Sequence, residues 1–448
     1  MRKIDFNKVD SVHFIGIGGV SMSALALLMK KWNKRVTGSD RQESEKVTPL
    51  RQKGVKVETG VVTNVHDTDL VVYTDAISPD NVELNKYREE GYPCMARGNF
   101  LEQVCQQFDK VVAIAGSHGK TTTSAMLAHI ILSAYPSTLH LGGEDCKYGN
   151  FCSTGKEYFI TEACEYKKNI EKITSDVAVV TSLDLDHTDC YKDLEDMKHS
   201  FERFVNQARR TIILWENVFL DIHNKHADLV RVGFGADCEV FCFGLKKTED
   251  GYTFHIRNGR QYVGKFVLNV HGEYNVKNAL CAIAACLQYD IPFNIIYDGL
   301  KSFSGVKRRD EKIGDINGVP VIADYAHHPT EITQSIRGIK ERFNKVLCVF
   351  QPHTYSRTIG LMEEFSQCFA GVDNLIIYKT YPAREKEDAS GNETALFKKV
   401  KLKNKLLALN RKDLIVLLEE NVADNDVVLI LGAGDLYDII KGYLNDNQ

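Results

Sequence analysis

The sequence predicts an α/β protein of three domains, and three observations carry that prediction. Apolar runs of strand length alternate with helix-length segments almost throughout, and repeated strand–helix units build parallel sheets covered by helices on both faces. The 448 residues suit about three domains at roughly 150 residues each. Two stretches interrupt the alternation: one near 100–109, where QVCQQFDK leads into a new strand, and one near 305–315, in the charged, Gly-containing GVKRRDEKIGDING. The expected domains are therefore 1–107, 108–310 and 311–448.

The strands follow in order. VHFIGIG (12–18) and LVVYTDA (70–76) belong to the first domain, VVAIAG (111–116) and VAVVTSL (177–183) to the second, and KVLCVFQ (345–351) and VVLILGAG (427–434) to the third. Several end in Gly, Asp or Ser, where a helix then starts. The stretch 228–270 reads differently. It alternates in short runs broken by EDG and RNG, which predicts an antiparallel hairpin insert in the central domain. A helix over 360–370 is expected to serve packing alone.

Composition excludes several classes. With 44% hydrophobic and 26% charged residues, the balance is that of an ordinary globular protein. A net charge of −4 gives no reason to expect nucleic acid or an anionic membrane as partner. The N-terminus lacks an apolar signal core, and no apolar run approaches the ~20 residues of a membrane span. The 12 cysteines include no Cys-x-x-Cys pair, so reduced thiols and a cytoplasmic location are expected rather than disulfides or a zinc site.

The motif richest in chemistry is VVAIAGSHGKTTTSAM, residues 111–126. A strand feeds the loop Gly116-Ser117-His118-Gly119, and a helix is predicted to start at Lys120. Backbone N–H groups and the positive end of that helix suit phosphate oxygens. Lys120 adds a point charge for the β- and γ-phosphates of ATP, the Thr121 hydroxyl is a natural Mg²⁺ ligand, and Thr122 follows in the first turn. The full Walker spacing needs Gly at 114, which is Ile114, so this is a shortened loop. Downstream, Glu162 ends an apolar run and can reach a metal held by Thr121. Asp184, Asp186, His187 and Asp189 crowd the end of the next strand. They read either as helix-capping acids or, for His187, as a second metal ligand at a strand's carboxyl end.

These motifs together resemble the Mur ligases, and within them the L-alanine-adding branch. The resemblance spans essentially the whole chain. It rests on VHFIGIGGVSMSALA, AGSHGKTTT, TEACEYKKN, LDLDHTDCY, HGEYNVKNA, SGVKRRDE, DYAHHPTE, QPHTYSRT and LGAGDL. It implies an ATP-dependent, Mg²⁺-requiring ligase that joins L-alanine to the lactyl carboxylate of UDP-N-acetylmuramate through an acyl phosphate. It implies a Rossmann-like first domain for the sugar nucleotide, a P-loop ATPase-like second domain, and a Rossmann-like third domain for the amino acid, as monomer or homodimer. By resemblance Gly16, Gly18 and Gly19 match the diphosphate loop, and Ser39, Asp40 and Arg97 lie towards the uridine. Asn275, Asn278 and Arg309 match ATP contacts, and Asp324 would hold the ribose. Tyr325, His327, His353 and Arg357 would lie near the amino acid, with His327 a candidate base. Lys120, Glu162 and His187 would carry the catalytic charge. Two segments depart from the usual family strings: Arg97-Gly98-Asn99 stands for Arg-Ala-Glu, and Glu162-Ala163-Cys164-Glu165-Tyr166 for Glu-Ala-Asp-Glu-Ser.

Other readings compete. Gly16-x-Gly18-Gly19 with Asp40 also fits a nicotinamide fingerprint, although its third glycine position is Ser21. His327 and His328 before Pro329 also fit a helix cap, and Arg308 and Arg309 an exposed linker charge run. Within the family, a ligase adding a recycled peptide or another amine is the alternative. Outside catalysis, a nucleotide-binding sensor on the same scaffold is another.

Overall fold

The structure, a computed structural model, describes residues 4–78, 80–187 and 190–446. Three sheets form along the chain. The first is wholly parallel, in spatial order Lys56–Thr59, Arg35–Asp40, Ser11–Ile15, Leu70–Tyr73, Cys94–Ala96. Its order reverses between Ser11–Ile15 and Leu70–Tyr73, the kind of switch point where open α/β sheets bind ligands. The loop Gly16–Gly19 sits there.

The second sheet has ten strands. At its centre Val177–Val180, Lys110–Ala115 and Tyr158–Glu162 run parallel side by side. All of their residues but Lys110 are buried, as expected for strands covered on both faces. The predicted antiparallel insert begins later than expected. Asp228–Gly233 pairs parallel with Thr211–Trp215 and extends the central sheet. Within the insert, antiparallel pairing is confined to Val240–Lys247, Tyr252–Asn258 and Gln261–Leu268. A parallel strand inside a sheet and a hairpin strand share the same alternating pattern, so the sequence did not distinguish them. A further antiparallel strand, Gly149–Ser153, pairs with Ser137–Asp145 at the opposite edge. The third sheet is parallel except for Glu311–Ile316, which pairs antiparallel with Val319–Asp324. The helix expected over 360–370 is two short ones, Tyr355–Gly360 and Met362–Gln367, broken at Leu361.

The domains are joined in two physically different ways. The first and second sheets share one continuous apolar core from Phe6 to Val306. Helix Val20–Lys31 causes this. Eight consecutive residues, Met22 to Met29, are buried, too many for a helix that covers one sheet only. Its second face packs on Ser137–Asp145 and Gly149–Ser153. Trp32, Phe108 and Phe159 continue the contact, the last two stacked at 4.5 Å. The third sheet keeps separate cores, one containing Ile332, Phe350 and Phe365, the other Leu414, Leu418 and Ile440. It meets the rest through polar contacts.

This division predicts truncation behaviour. A fragment ending at Asp310 keeps the shared core and should melt cooperatively by circular dichroism. A fragment ending at Asp109 leaves the second face of Val20–Lys31 in water and should not. A cooperative melt of the shorter fragment would show that the first domain needs no partner.

Candidate active site

The glycine loop at 116–119 has a fixed local geometry. Strand Lys110–Ala115 ends in Gly116, and helix Lys120–Ile131 starts four residues later. Gly119 has φ 84°, and a Cβ there would lie 2.4 Å from Asn278 Oδ1, so only glycine fits. Neighbouring side chains pin the loop. Ser117 Oγ donates to Asp184 O at 2.7 Å, and His118 N donates to Ser182 Oγ at 2.8 Å. The Lys120 ammonium lies over the loop, donating to Gly116 O, and meets Glu165 Oε1 at 2.8 Å. Burial opposes its charge, but Glu165 outweighs that and raises its pKa.

Two buried glutamates stand beside the loop, and their carboxyl groups are shifted in opposite directions. Burial raises the pKa of Glu162, whose Oε1 accepts from Gly142 N at 2.6 Å beside the Thr121 hydroxyl. Glu165 is also desolvated, yet Lys120 and His187 hold it at about 2. Its Oε2 is buried without a hydrogen-bond partner among the described residues. His187 sits at φ 53° with Nε2 3.5 Å from Glu165 and 3.9 Å from Asp186. Asp189 lies outside the described residues. No group of three or more His, Cys, Asp or Glu is gathered as a metal site among the described residues. The hard oxygen donors Thr121, Glu162 and Glu165 nevertheless suit a magnesium ion, which takes few protein ligands and completes its shell with waters and phosphate oxygens.

The third domain closes the site with ion pairs. Arg357 Nε donates to Asp186 Oδ1 at 2.9 Å, and Nη1 lies 3.0 Å from His353 Nδ1. Asp186 is buried, and Arg357 holds its carboxyl far below the usual range. His328 Nε2 donates to Leu185 O at 3.1 Å and its Nδ1 accepts from Thr330 N, so it caps helix Pro329–Lys340 and ties it to the second domain. His327 Nδ1 lies 2.9 Å from Tyr325 O. Donation to that carbonyl fixes the tautomer and leaves Nε2 as an acceptor. Burial and Arg357 lower His327 to about 3, and the same two causes lower His353 to about 4. Both are neutral at neutral pH.

The linker arginines are not an exposed charge run. Arg308 Nη2 donates to Gly434 O at 2.9 Å, and its guanidinium lies over the Tyr325 and Tyr437 rings. Arg309 Nη1 meets Glu331 Oε1 at 3.2 Å and Asp324 Oδ1 at 3.7 Å. Burial raises Asp324 to about 6 despite Arg309. Arg309 lines three adjoining cavities. One of about 80 Å³ reaches His118, Lys277 and Asn278, one of about 240 Å³ reaches Thr122 and Asn275, and one of about 760 Å³ reaches Thr121 and Tyr325.

The first-domain candidates are spread more widely. Gly16 N donates to Ser39 O at 2.8 Å, and Gly18 N to Asp40 Oδ2 at 2.8 Å, with Gly19 starting the helix. Asp40 therefore braces the loop. Ser39 is turned inwards. Its hydroxyl donates to Glu83 Oε2 at 2.6 Å in a buried chain through His13 to Thr37. Arg97 is buried, 3.3 Å from Asp75 Oδ2. The Gly98 departure has a steric reason: a Cβ there would lie 2.0 Å from Asn169 Oδ1. Sequence reasoning missed Asp186 as the partner of Arg357, and it missed Glu331. Glu331 stands in the DYAHHPTE string, but nothing in spacing marks it as more than a helix-start acid.

His118 supplies a pH test. Its Nε2 lies 2.9 Å from Asp184 and its Nδ1 3.4 Å from Glu331, as ion-pair contacts. Burial opposes its charge, but the two carboxylates raise its pKa from 6.5 to about 9. A raised histidine contributes stability in full below pH 6.5; the contribution declines as pH rises and is gone above about 9. The melting-temperature difference between wild type and His118→Asn should therefore shrink from pH 6 to pH 9.5. A constant difference would mean that His118 is neutral throughout.

Comparison with known proteins agrees with this architecture. Residues 11–109 match the model described as Mur ligase family, catalytic domain; 114–286 match Mur ligase middle domain; and 308–434 match Mur ligase, glutamate ligase domain. The chain is 38% identical to the UDP-N-acetylmuramate–L-alanine ligase of Clostridium novyi, over 98% of each chain. It is 35% identical to the enzyme of the same name from Acetivibrio thermocellus, over 99% of this chain and 98% of that one. Among solved structures, the UDP-N-acetylmuramate–alanine ligase of Thermotoga maritima superposes with a TM-score of 0.82 at 26% identity, covering 98% of this chain and 99% of that one. A murein peptide ligase from Psychrobacter arcticus has the same fold, with a TM-score of 0.76 at 23% identity over 97% and 98%. A shared core through the first two sheets, a glycine loop at the carboxyl end of a central strand and full-length similarity at this identity lead to one conclusion: the chain belongs to the Mur ligase family.

Proposed function

We propose that this chain is an ATP-dependent ligase that joins L-alanine to the lactyl carboxylate of UDP-N-acetylmuramate. One observation carries the reading. The cavities that share Arg309 are lined by His118, Gly119, Thr121 and Thr122 of the glycine loop and its helix, by Asn275 and Asn278, and by Asp324, Tyr325 and Glu331 of the third domain, so the loop and the third domain face each other across them, beside the Lys120–Glu165 and Arg357–Asp186 ion pairs. The full-length relatives named for this reaction support it. In this reading 1–107 takes the sugar nucleotide through Gly16, Gly18, Gly19, Asp40 and Arg97, and 108–310 takes ATP through Gly116 to Thr122, Asn275 and Asn278. The third domain, 311–448, brings Asp324 to the ribose and Tyr325, His327, His353 and Arg357 to the amino acid.

The chemistry follows from the charges. A carboxylate is a poor electrophile, so it must first become an acyl phosphate. The carboxylate oxygen bonds to the γ-phosphorus of ATP, the bond to the β–γ bridging oxygen breaks, and ADP leaves. Catalysis of that step is positioning and charge neutralisation, which a buried, protonated Lys120 provides. Magnesium held by Thr121 and Glu162, with a second ion at His187, would add positive charge against the phosphoryl oxygens. The amine of alanine then attacks the acyl carbon, phosphate departs, and the departing phosphate can accept the surplus proton. His327, at about 3, is a weak base for an ammonium. Its Nε2 is suited to orient the amine by accepting a hydrogen bond. Closing of the third domain keeps water from the acyl phosphate.

The deciding experiment incubates ATP and UDP-N-acetylmuramate with each candidate amine and follows phosphate release and product mass. A product with a peptide but none with L-alanine would redirect the reading to the peptide-adding branch.

Two substitutions sharpen it. Lys120→Ala should lower kcat by ~10³-fold or more, the scale of other lost charge-stabilising groups; turnover within tenfold of wild type would overturn the role of Lys120. Arg357→Lys should raise the KM for L-alanine by about tenfold, the scale of one lost charge-assisted contact, with the KM for ATP nearly unchanged. Because Arg357 also holds Asp186 across the domains, a rise in both KM values would assign it to domain closure instead.

A further inference from the structure

Glu331 stands at the centre of the cross-domain contacts, and the proposed chemistry does not use it. It occupies the first turn of helix Pro329–Lys340 and is buried. Its two oxygens differ in what they hold. Oε2 accepts from His327 N at 3.2 Å, the ordinary reach of a glutamate at the third helical position back over the helix start. Oε1 meets Arg309 Nη1 at 3.2 Å and His118 Nδ1 at 3.4 Å. Arg309 belongs to the linker and His118 to the phosphate loop. A cap needs only an oxygen acceptor, so it does not require the charge. The second set of contacts does, because a carboxylate removed from water stays charged only beside cations.

Those two cations are the ones a nucleotide would claim. His118 and Arg309 line the same cavity at the phosphate loop, with Glu331 in its wall. A triphosphate entering there shares both cations, and Glu331 loses part of its compensation. Its remaining polar neighbour is His327, whose Nδ1 lies 3.4 Å from Oε2. A change of charge at the phosphate loop is thereby delivered to the histidine on the amine side, through one rigid helix turn.

We propose that Glu331 is the positioning residue that couples nucleotide occupancy of the phosphate loop to the placement of His327. The proposal rests on the nucleotide reading above. Glu331 acts through His118, Arg309 and His327 and forms no bond to substrate.

Glu331→Gln tests it, because glutamine keeps the cap acceptor and the size while removing the charge. Hydrogen–deuterium exchange by mass spectrometry, with and without a non-hydrolysable ATP analogue, reads both ends. In wild type the analogue slows exchange over 116–124 and also alters it over 326–340. In Glu331→Gln the first response remains and the second is lost. The melting temperature falls, because Arg309 and His118 lose their shared anion, and kcat falls by about tenfold or more, the scale of one lost charge-assisted contact, while the KM for ATP changes little. If the response over 326–340 survives, or if both responses disappear together, Glu331 is only a structural cap and the proposal is overturned. If wild type shows no response over 116–124, the nucleotide reading itself has failed, and the proposal falls with it.

Discussion

The contact between Lys120 and Glu165 is the interaction on which the site depends. An ammonium buried under a glycine loop is tolerable only beside an anion, and Glu165 at 2.8 Å supplies it. That choice forces the next. Glu165 is buried as well, and His187 stands 3.5 Å away to share its charge. His187 leads to Asp186, and Asp186 to Arg357 in the third domain. A second chain starts at the neighbouring loop residue: Asp184, His118, Glu331, Arg309 and Asp324 alternate in sign. Each buried charge is placed by the one before it. Both chains cross from the second domain to the third or its linker.

That pattern explains why the joints differ. The first two sheets share an apolar core that has no reason to open, because separating them would expose Val20–Lys31 and the Trp32–Phe108–Phe159 contact to water. The third domain keeps its own cores and is attached by ion pairs and by His328 to Leu185. Polar contacts of this kind can be exchanged for water or ligand at lower cost than an apolar core. The acyl phosphate of the proposed reaction would be hydrolysed by water, and a joint of this kind suits it because it can open to load and close to exclude water. Arg308, fixed to Gly434 and the Tyr325 and Tyr437 rings, keeps the linker's last residues with the third domain.

Much of this was legible in the residues. The loop Gly116–Lys120 and its helix start were readable because a strand, a glycine turn and a lysine at fixed spacing permit few arrangements. His328 before Pro329 was readable as a cap for the same local reason. Asp228–Gly233 was misassigned because strand direction depends on how the chain travels between strands. The broken helix at Leu361 was missed although Gly360 stands beside it, because a lone glycine is also tolerated inside a continuous helix. The resemblance placed Ser39 towards the uridine, and its hydroxyl donates to Glu83 in the buried chain with His13, a partnership that no local pattern signals.

The sequence by itself determined the alternation of strands and helices, the glycine loop with its helix start and the set of charged residues, because propensity, hydrophobic period and turn chemistry act over a few residues at a time. Only the tertiary structure decided which charges became partners. Asp186 lies 171 positions from Arg357, and His118 and Glu331 lie in different domains. The carboxylates of Asp184 and Glu331 raise His118 to about 9, whereas burial and Arg357 lower His327 to about 3, so of two histidines with the same intrinsic chemistry one is charged at neutral pH and the other neutral. Electrostatic pairing depends on distance and on exclusion of water, and the folded chain alone fixes both.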